Sequence, residues 1–297
     1  MSRPSTPVRT DRLSRGAPGP SRRRFTAQGR FFLAVAGGWL GLMVLLALLG
    51  PLLPLPEVGE TVGPPAQPPG LRWPEPLGTD SIGRSTLARV VGGARVSLLV
   101  GGAATLIGAV VGGLLGLLAA YLRGKLEAVV DTLTDSVLAF PPLLLLLALA
   151  AVMRPSITTL TVSLGLLTVP AFIRIMKANA IAAQSREYVL AARALGASNS
   201  RIIFRELLPN TAAAVLAFAV VQMAVLIVAE GSLSFLGLGV PAPTPSWGGM
   251  IAAGRDRLDA APSLVFVPGL FFVLTVFSLN TLGEHLRRKF DTGEAKL

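Results

Sequence analysis

Apolar residues fall into six long blocks separated by polar segments, and block length is the informative quantity. A helix rises 1.5 Å per residue, so crossing a hydrocarbon layer takes about 20 apolar residues. Residues 31–53, 96–122, 129–153, 157–175, 212–236 and 263–282 pass that ruler. The pattern predicts an all-α integral membrane protein with six transmembrane helices. The fourth block is diluted by Thr158, Thr159, Thr161, Ser163, Thr168 and Pro170. Such residues are tolerated where neighbouring helices cover them, so this block reads as a tilted or bundle-buried helix.

The polar segments divide the rest. Residues 1–30 form a basic tail too polar to fold alone, predicted to be disordered near anionic headgroups. Within it, Ser21-Arg-Arg-Arg-Phe25 resembles a twin-arginine export signal, but five further apolar blocks and the absence of a small-residue cleavage site argue against export. Residues 54–95 follow as a proline-rich connector and then an amphipathic stretch expected to lie along the interface. In that stretch Asp80 and Arg84, at i,i+4 spacing, read as a surface pair. Residues 96–283 make a five-helix core, interrupted by a basic, helix-prone insert at 186–209, and 284–297 close the chain as a second tail.

Composition agrees with the blocks: hydrophobic residues make up 52% and charged ones 14%. The net charge of +11 would suggest nucleic acid in a soluble chain. Here Lys and Arg concentrate in the two tails, between the second and third blocks and between the fourth and fifth, which places both termini in the cytoplasm. No folded basic domain remains for nucleic acid. The chain has no cysteine and one histidine, His285 in the basic C-terminal tail, so neither a thiolate site nor a metal centre is expected. No phosphate-binding loop occurs, so ATP hydrolysis is not expected of this chain.

Glu230 reads as the one acid deep enough in a block to matter. An intramembrane carboxylate is costly and is by default a functional candidate, as a proton relay or substrate contact. Its place near the end of the fifth block, followed by Gly231, Ser232 and Ser234, also allows a purely structural role in which water or helix ends satisfy it. Gln222, Glu230, Ser232 and Ser234 are the candidates for lining a translocation pathway. Gly108, Gly112 and Gly116, at four-residue intervals, suit close helix packing within one bundle, with a dimerising or pore-lining stripe as the other reading.

The insert carries the sharpest signal. Residues 186–195 suit one short helix with Ala191, Ala192 and Leu195 on a smooth face, Gly196 suits the turn that ends it, and Ser198 suits the cap of a second short helix running to Leu207 before Pro209 starts the next span. Two short helices meeting at a glycine make a knob suited to a partner's groove.

The spacing Ala191-Ala192, Gly196, Leu208-Pro209 resembles the cytoplasmic-loop motif of permease subunits of bacterial binding-protein-dependent ABC importers, written Glu-Ala-Ala, Gly, Ile-x-Leu-Pro. Leu190 stands where the motif has Glu, with Glu187 three residues earlier, and Glu206 stands where it has Ile. Leu77-Gly-Thr-Asp-x-x-Gly-Arg84 with Gly93-Ala-Arg-x-Ser-Leu98, and residues 232–239 followed by Pro245-Ser-Trp-Gly248, are similar to the C-type permease subunit of dipeptide, oligopeptide and nickel importers. The likeness covers roughly residues 30–290. It implies a six-helix permease in the bacterial inner membrane, paired with a B-type permease, two cytoplasmic ATPases that bind ATP and Mg, and an extracytoplasmic solute-binding protein. This chain would bind no cofactor. It also implies that Glu187, Ala191, Ala192, Gly196, Ala197, Ser198, Leu208 and Pro209 form the ATPase-coupling element, and that Trp247, Arg255 and Asp256 face the binding protein. The competing class is a proton-coupled secondary transporter working through Glu230.

Overall fold

Pro141 and Pro142 break the third apolar block. Proline lacks the N–H that a helix needs and pushes the residue before it out of the helical region, so two in succession end one helix and start another. In the computed structural model, which describes residues 27–70 and 75–294, α3 (Gly124–Leu138) and α4 (Pro142–Val152) meet at 87°. Where block length predicts one continuous third span, the chain forms two helices bent sharply at the prolines.

The remaining long helices among the described residues are α1 (Ala27–Leu49), α2 (Thr86–Leu122), α5 (Ile157–Gln184), α7 (Asn199–Phe235) and α9 (Ser263–Glu294). Two short ones join them: α6 (Glu187–Ala194) and α8 (Trp247–Gly254). Five are long and apolar enough to span a membrane, six with the bent pair counted as one. α5 is the diluted fourth block, and 56% of its most apolar window is buried, which fits a helix inside the bundle.

Several boundaries differ from the block reading. α2 begins at Thr86, where Ser85 caps the helix by accepting the Ala88 N–H. Its first turns bury Ala88, Arg89, Val90, Val91 and Ala94, so this stretch packs largely inside the protein and does not lie along the interface, with Arg95 left exposed. The connector folds back on the turn before α2: Val62 N–H donates to the Gly83 carbonyl and Ala66 N–H to that of Asp80. Asp80 and Arg84 do not share a helix. The Asp80 carboxylate closes a turn by accepting the Ile82 and Arg84 N–H groups at 3.0 Å and also pairs with the Arg84 and Arg89 side chains. At the C-terminus α9 runs to Glu294, making most of the second tail helical. Of the tail expected to be disordered over residues 1–30, residues 27–30 form the first turn of α1, and residues 1–26 lie outside the described residues.

The glycine stripe does the packing work. A Cβ on Gly112 would sit 2.5 Å from the Val169 carbonyl oxygen, and one on Gly116 2.6 Å from that of Ile173, so α2 and α5 touch backbone to backbone. Residues 108–112 form a wide, i→i+5 turn at this contact. Gly112→Leu is expected to force the two helices apart, at a cost of about 3 kcal/mol or more. Thermal unfolding in detergent should register it, whereas Gly41→Leu, where a Cβ meets nothing within 4 Å, should have little effect.

Candidate functional site

The 186–209 insert folds as an elbow. α6 ends in a Schellman motif, in which the Ala197 N–H donates to the Ala192 carbonyl and the Gly196 N–H to that of Arg193, each at 3.0 Å. Gly196 takes the left-handed conformation this requires, with φ of 76°. Ser198 then caps α7 by accepting the Arg201 N–H. The second short helix does not stop at Leu207: it is the first part of α7. Pro209 has no N–H and its ring crowds the preceding carbonyls, and a wide turn over Ile202–Leu207 makes room for it without breaking the helix.

The elbow is rooted and its tip is bare. Val189, Ile202, Ile203 and Leu207 are buried against Leu117 and Ala120 of α2 and Phe172 and Met176 of α5. Tyr121, at the end of α2, donates to Asn199 Oδ1 at 2.8 Å, and the Arg193 guanidinium lies over the Tyr121 ring. On the opposite face Ala191, Gly196 and Ser198 are exposed, and Leu195 is 87% exposed. Ala192, Ala197 and Leu208 are half-buried, and Pro209 is exposed. Glu187 lines a neighbouring cavity of about 510 Å³ with Asn179, Arg186, Tyr188 and Asn210. The structure thus brings the eight candidate coupling residues into one element.

Charges close to the elbow escaped the sequence reading. Glu127, Asp131 and Asp135 follow one another at four-residue steps along α3, on one face, and meet Arg174 and Lys177 of α5. Lys177 Nζ lies 2.7 Å from both Glu127 and Asp131, and Arg174 pairs with Asp135 at 2.8 Å. Asp131 and Asp135 fall within the third block but their side chains are 44% and 68% exposed, so Glu230 alone of the three is buried. The matched spacing of acids on one helix and bases on the next was the available signal.

Glu230 itself is fully buried, 0% exposed. Its Oε1 accepts hydrogen bonds from Ser234 at 2.8 Å and Ser246 at 2.7 Å, and its Oε2 lies 3.5 Å from Ser97 Oγ. Ser97 in turn accepts the Trp247 N–H, and Ser246 caps α8 by accepting the Gly249 N–H. One carboxylate therefore fastens α2, α7 and the start of α8 together. Three serines from three parts of the chain, one of them the cap of α8, hydrogen-bond it. Of the other pathway candidates, Ser234 belongs to this network, Ser232 lines an apolar cavity of about 440 Å³ with Phe235 and Phe272, and Gln222 sits half-buried elsewhere on α7.

Trp247 cannot face a partner in this conformation. It is 0% exposed, its indole N–H donating to the Val90 carbonyl at 3.0 Å, because the bare backbone of Gly93 lets the ring pack against α2. Arg255 and Asp256, just past the other end of α8, are exposed, with Arg255 stacked on Phe235 and donating to its carbonyl. Arg89 is a second buried anchor, donating to the carbonyls of Val58 and Pro243 and so tying the connector to the segment before α8.

Long apolar helices, a sharply bent pair, a rooted elbow at one end and a short helix folded back at the other give this chain the fold of an ABC importer's membrane-spanning subunit. Its fold matches a chain of the inward-facing MetNI methionine ABC transporter with a TM-score of 0.57, over 68% of this chain and 95% of that one, at 18% identity. The chain belongs to the family of binding-protein-dependent transport system inner membrane components, whose pattern it matches over residues 112–292. It is a multi-pass inner-membrane protein. It is 34% identical to the dipeptide transport system permease protein DppC of Alkalihalophilus pseudofirmus, over 97% of this chain and 94% of that one. Against the di/tripeptide permease DppC of Pseudomonas aeruginosa identity is 38%, over 72% and 71% of the two chains. Against the glutathione permease GsiD of Pectobacterium atrosepticum it is 35%, over 75% and 73%. The proton-coupled alternative finds no support in this membership.

Proposed function

We propose that this chain forms half of the membrane pathway of an ATP-driven importer of di- and oligopeptides, together with a B-type permease. In this reading α6 seats in a groove of a cytoplasmic ATPase, a second ATPase serves the other permease, and ATP and Mg bind to those subunits alone. Both termini then lie in the cytoplasm. Arg255 and Asp256, on the far side, meet the solute-binding protein. The relatives named for dipeptides, di/tripeptides and glutathione favour a peptide over a nickel chelate.

The observation that carries the proposal is the contrast within the elbow: a base packed into three long helices and a tip with Leu195 left bare. A leucine so exposed on a rigid support stabilises nothing within the chain, and apolar anchors presented this way suit helix-in-groove docking.

The test is an affinity pull-down of the tagged chain in mild detergent with mass spectrometry of what stays bound. A second permease and ATPase subunits are expected. In Leu195→Asp, ATPase recovery should fall at least ten-fold while the second permease and the unfolding temperature are unchanged. A lone wild-type chain in several detergents, or equal ATPase recovery in Leu195→Asp, would overturn the assignment.

A further inference from the structure

At the end of the bundle opposite the elbow, a cavity of about 250 Å³ opens between the end of α1, the first connector residues and the early turns of α2. Leu46, Pro51, Leu55, Ala88 and Val91 make its wall apolar, and Glu57 and Arg95 are its two charges. Both charged residues are exposed, and neither has an ion-pair partner among the described residues.

The depth of Arg95 makes it unusual. Gly50, just past α1, abuts Val91: a Cβ there would come within 2.8 Å of the valine side chain. Arg95 lies one helical turn beyond Val91, about 6 Å further along α2 and beside the apolar body of α1. An arginine at that level is expensive unless its long arm reaches back to the interface and meets an anion there. Its planar fork suits the oxygens of a phosphate. Glu57, on the connector just past the end of α1, offers a carboxylate to the same cavity.

We infer that this cavity holds the headgroup of a zwitterionic phospholipid of the phosphatidylethanolamine class, with its phosphate on Arg95 and its ammonium beside Glu57. The acyl chains leave along α1, where Leu42, Leu45 and Leu49 lie exposed on one face next to Leu46. One anionic and one cationic group separated by a few atoms match the unpaired arginine and glutamate, and a membrane surface supplies such a ligand at high local concentration. The inference needs only that α1 crosses the bilayer, not the direction in which it does so. It therefore stands or falls separately from the proposed transport activity.

The test uses the full chain with whatever subunits co-purify, washed extensively in mild detergent and examined by native mass spectrometry. Phosphatidylethanolamine should remain bound at about one molecule per chain and, after removal, should rebind from mixed micelles in preference to phosphatidylglycerol. Arg95→Gln and Glu57→Gln should each weaken retention at least ten-fold. Ala47→Phe, which fills the cavity from α1 without altering charge, should displace the lipid in a chain that still assembles, keeping the inference testable if Arg95→Gln folds poorly. Absence of bound phospholipid from the washed wild type, or equal retention in Arg95→Gln and Ala47→Phe, would overturn it. So would loss of the second permease in Arg95→Gln with lipid content unchanged, which would assign Arg95 to a carboxylate of that subunit.

Discussion

Replacing Gly196 with valine is expected to leave the chain in the membrane and cut peptide-stimulated ATP hydrolysis of the assembled transporter at least ten-fold. The reason lies in the backbone. Gly196 holds φ at 76°, a region that costs an ordinary L-residue about 1–2 kcal/mol and a β-branched one more. A side chain there would touch nothing in this chain, since a Cβ finds open space within 4 Å. Valine should therefore relax the turn and swing α6 out of register with α7, while the buried root of the elbow keeps the fold. Asparagine, which tolerates the left-handed region, is the informative control, and Gly196→Asn should retain most of the coupled activity. Equal activity in Gly196→Val and the wild type would remove the elbow from the coupling path.

The second large effect belongs to Glu230, and the two roles proposed for it part company in one pair of variants. Glu230→Leu leaves the hydroxyls of Ser97, Ser234 and Ser246 facing an apolar side chain. Allowing for some to find backbone carbonyls, the loss is about 3 kcal/mol. That corresponds to a fall of roughly 5–10 °C in apparent unfolding temperature. Glu230→Gln can keep the network once the Ser97 hydroxyl proton turns to another acceptor. Its carbonyl replaces Oε1 as acceptor for Ser234 and Ser246, and its amide can donate to Ser97 Oγ, which has a lone pair free beside the Trp247 N–H. Transport by Glu230→Gln in proteoliposomes should therefore stay within about two-fold of wild type. A glutamine cannot carry a proton. Abolished transport in a normally folded Glu230→Gln would restore a titrating role.

Much of this architecture was legible as block length and punctuation. The elbow was readable from Gly196 and Ser198 because local backbone chemistry decides it, and those two residues act where they were expected. The glycine stripe at 108, 112 and 116 signalled tight packing because small residues at helical spacing have few other uses. What escaped the blocks were features set by distant parts of the chain. The buried start of α2 looked interfacial because Arg89 is polar in sequence, and the groups that satisfy it come from the connector and the segment before α8. Glu230 was found by its rarity, but its partners Ser97 and Ser246 lie 133 and 16 residues away. Trp247 read as a surface aromatic because the glycine that admits its ring, Gly93, is on another helix. The acids of α3 were overlooked because hydropathy averaging hides a charged stripe on an otherwise apolar segment.

α7 has one more property, which follows from its passing Pro209 without interruption. Its 37 residues make a rod of about 55 Å, with the exposed turn at Ser198 just before one end and the buried carboxylate near the other. A tilt of about 5° around its midpoint would carry both ends roughly 2 Å in opposite directions at the same instant. Motion at the two faces of the membrane is then a matter of geometry in a single stiff body, and no relay of side chains through the bilayer is required.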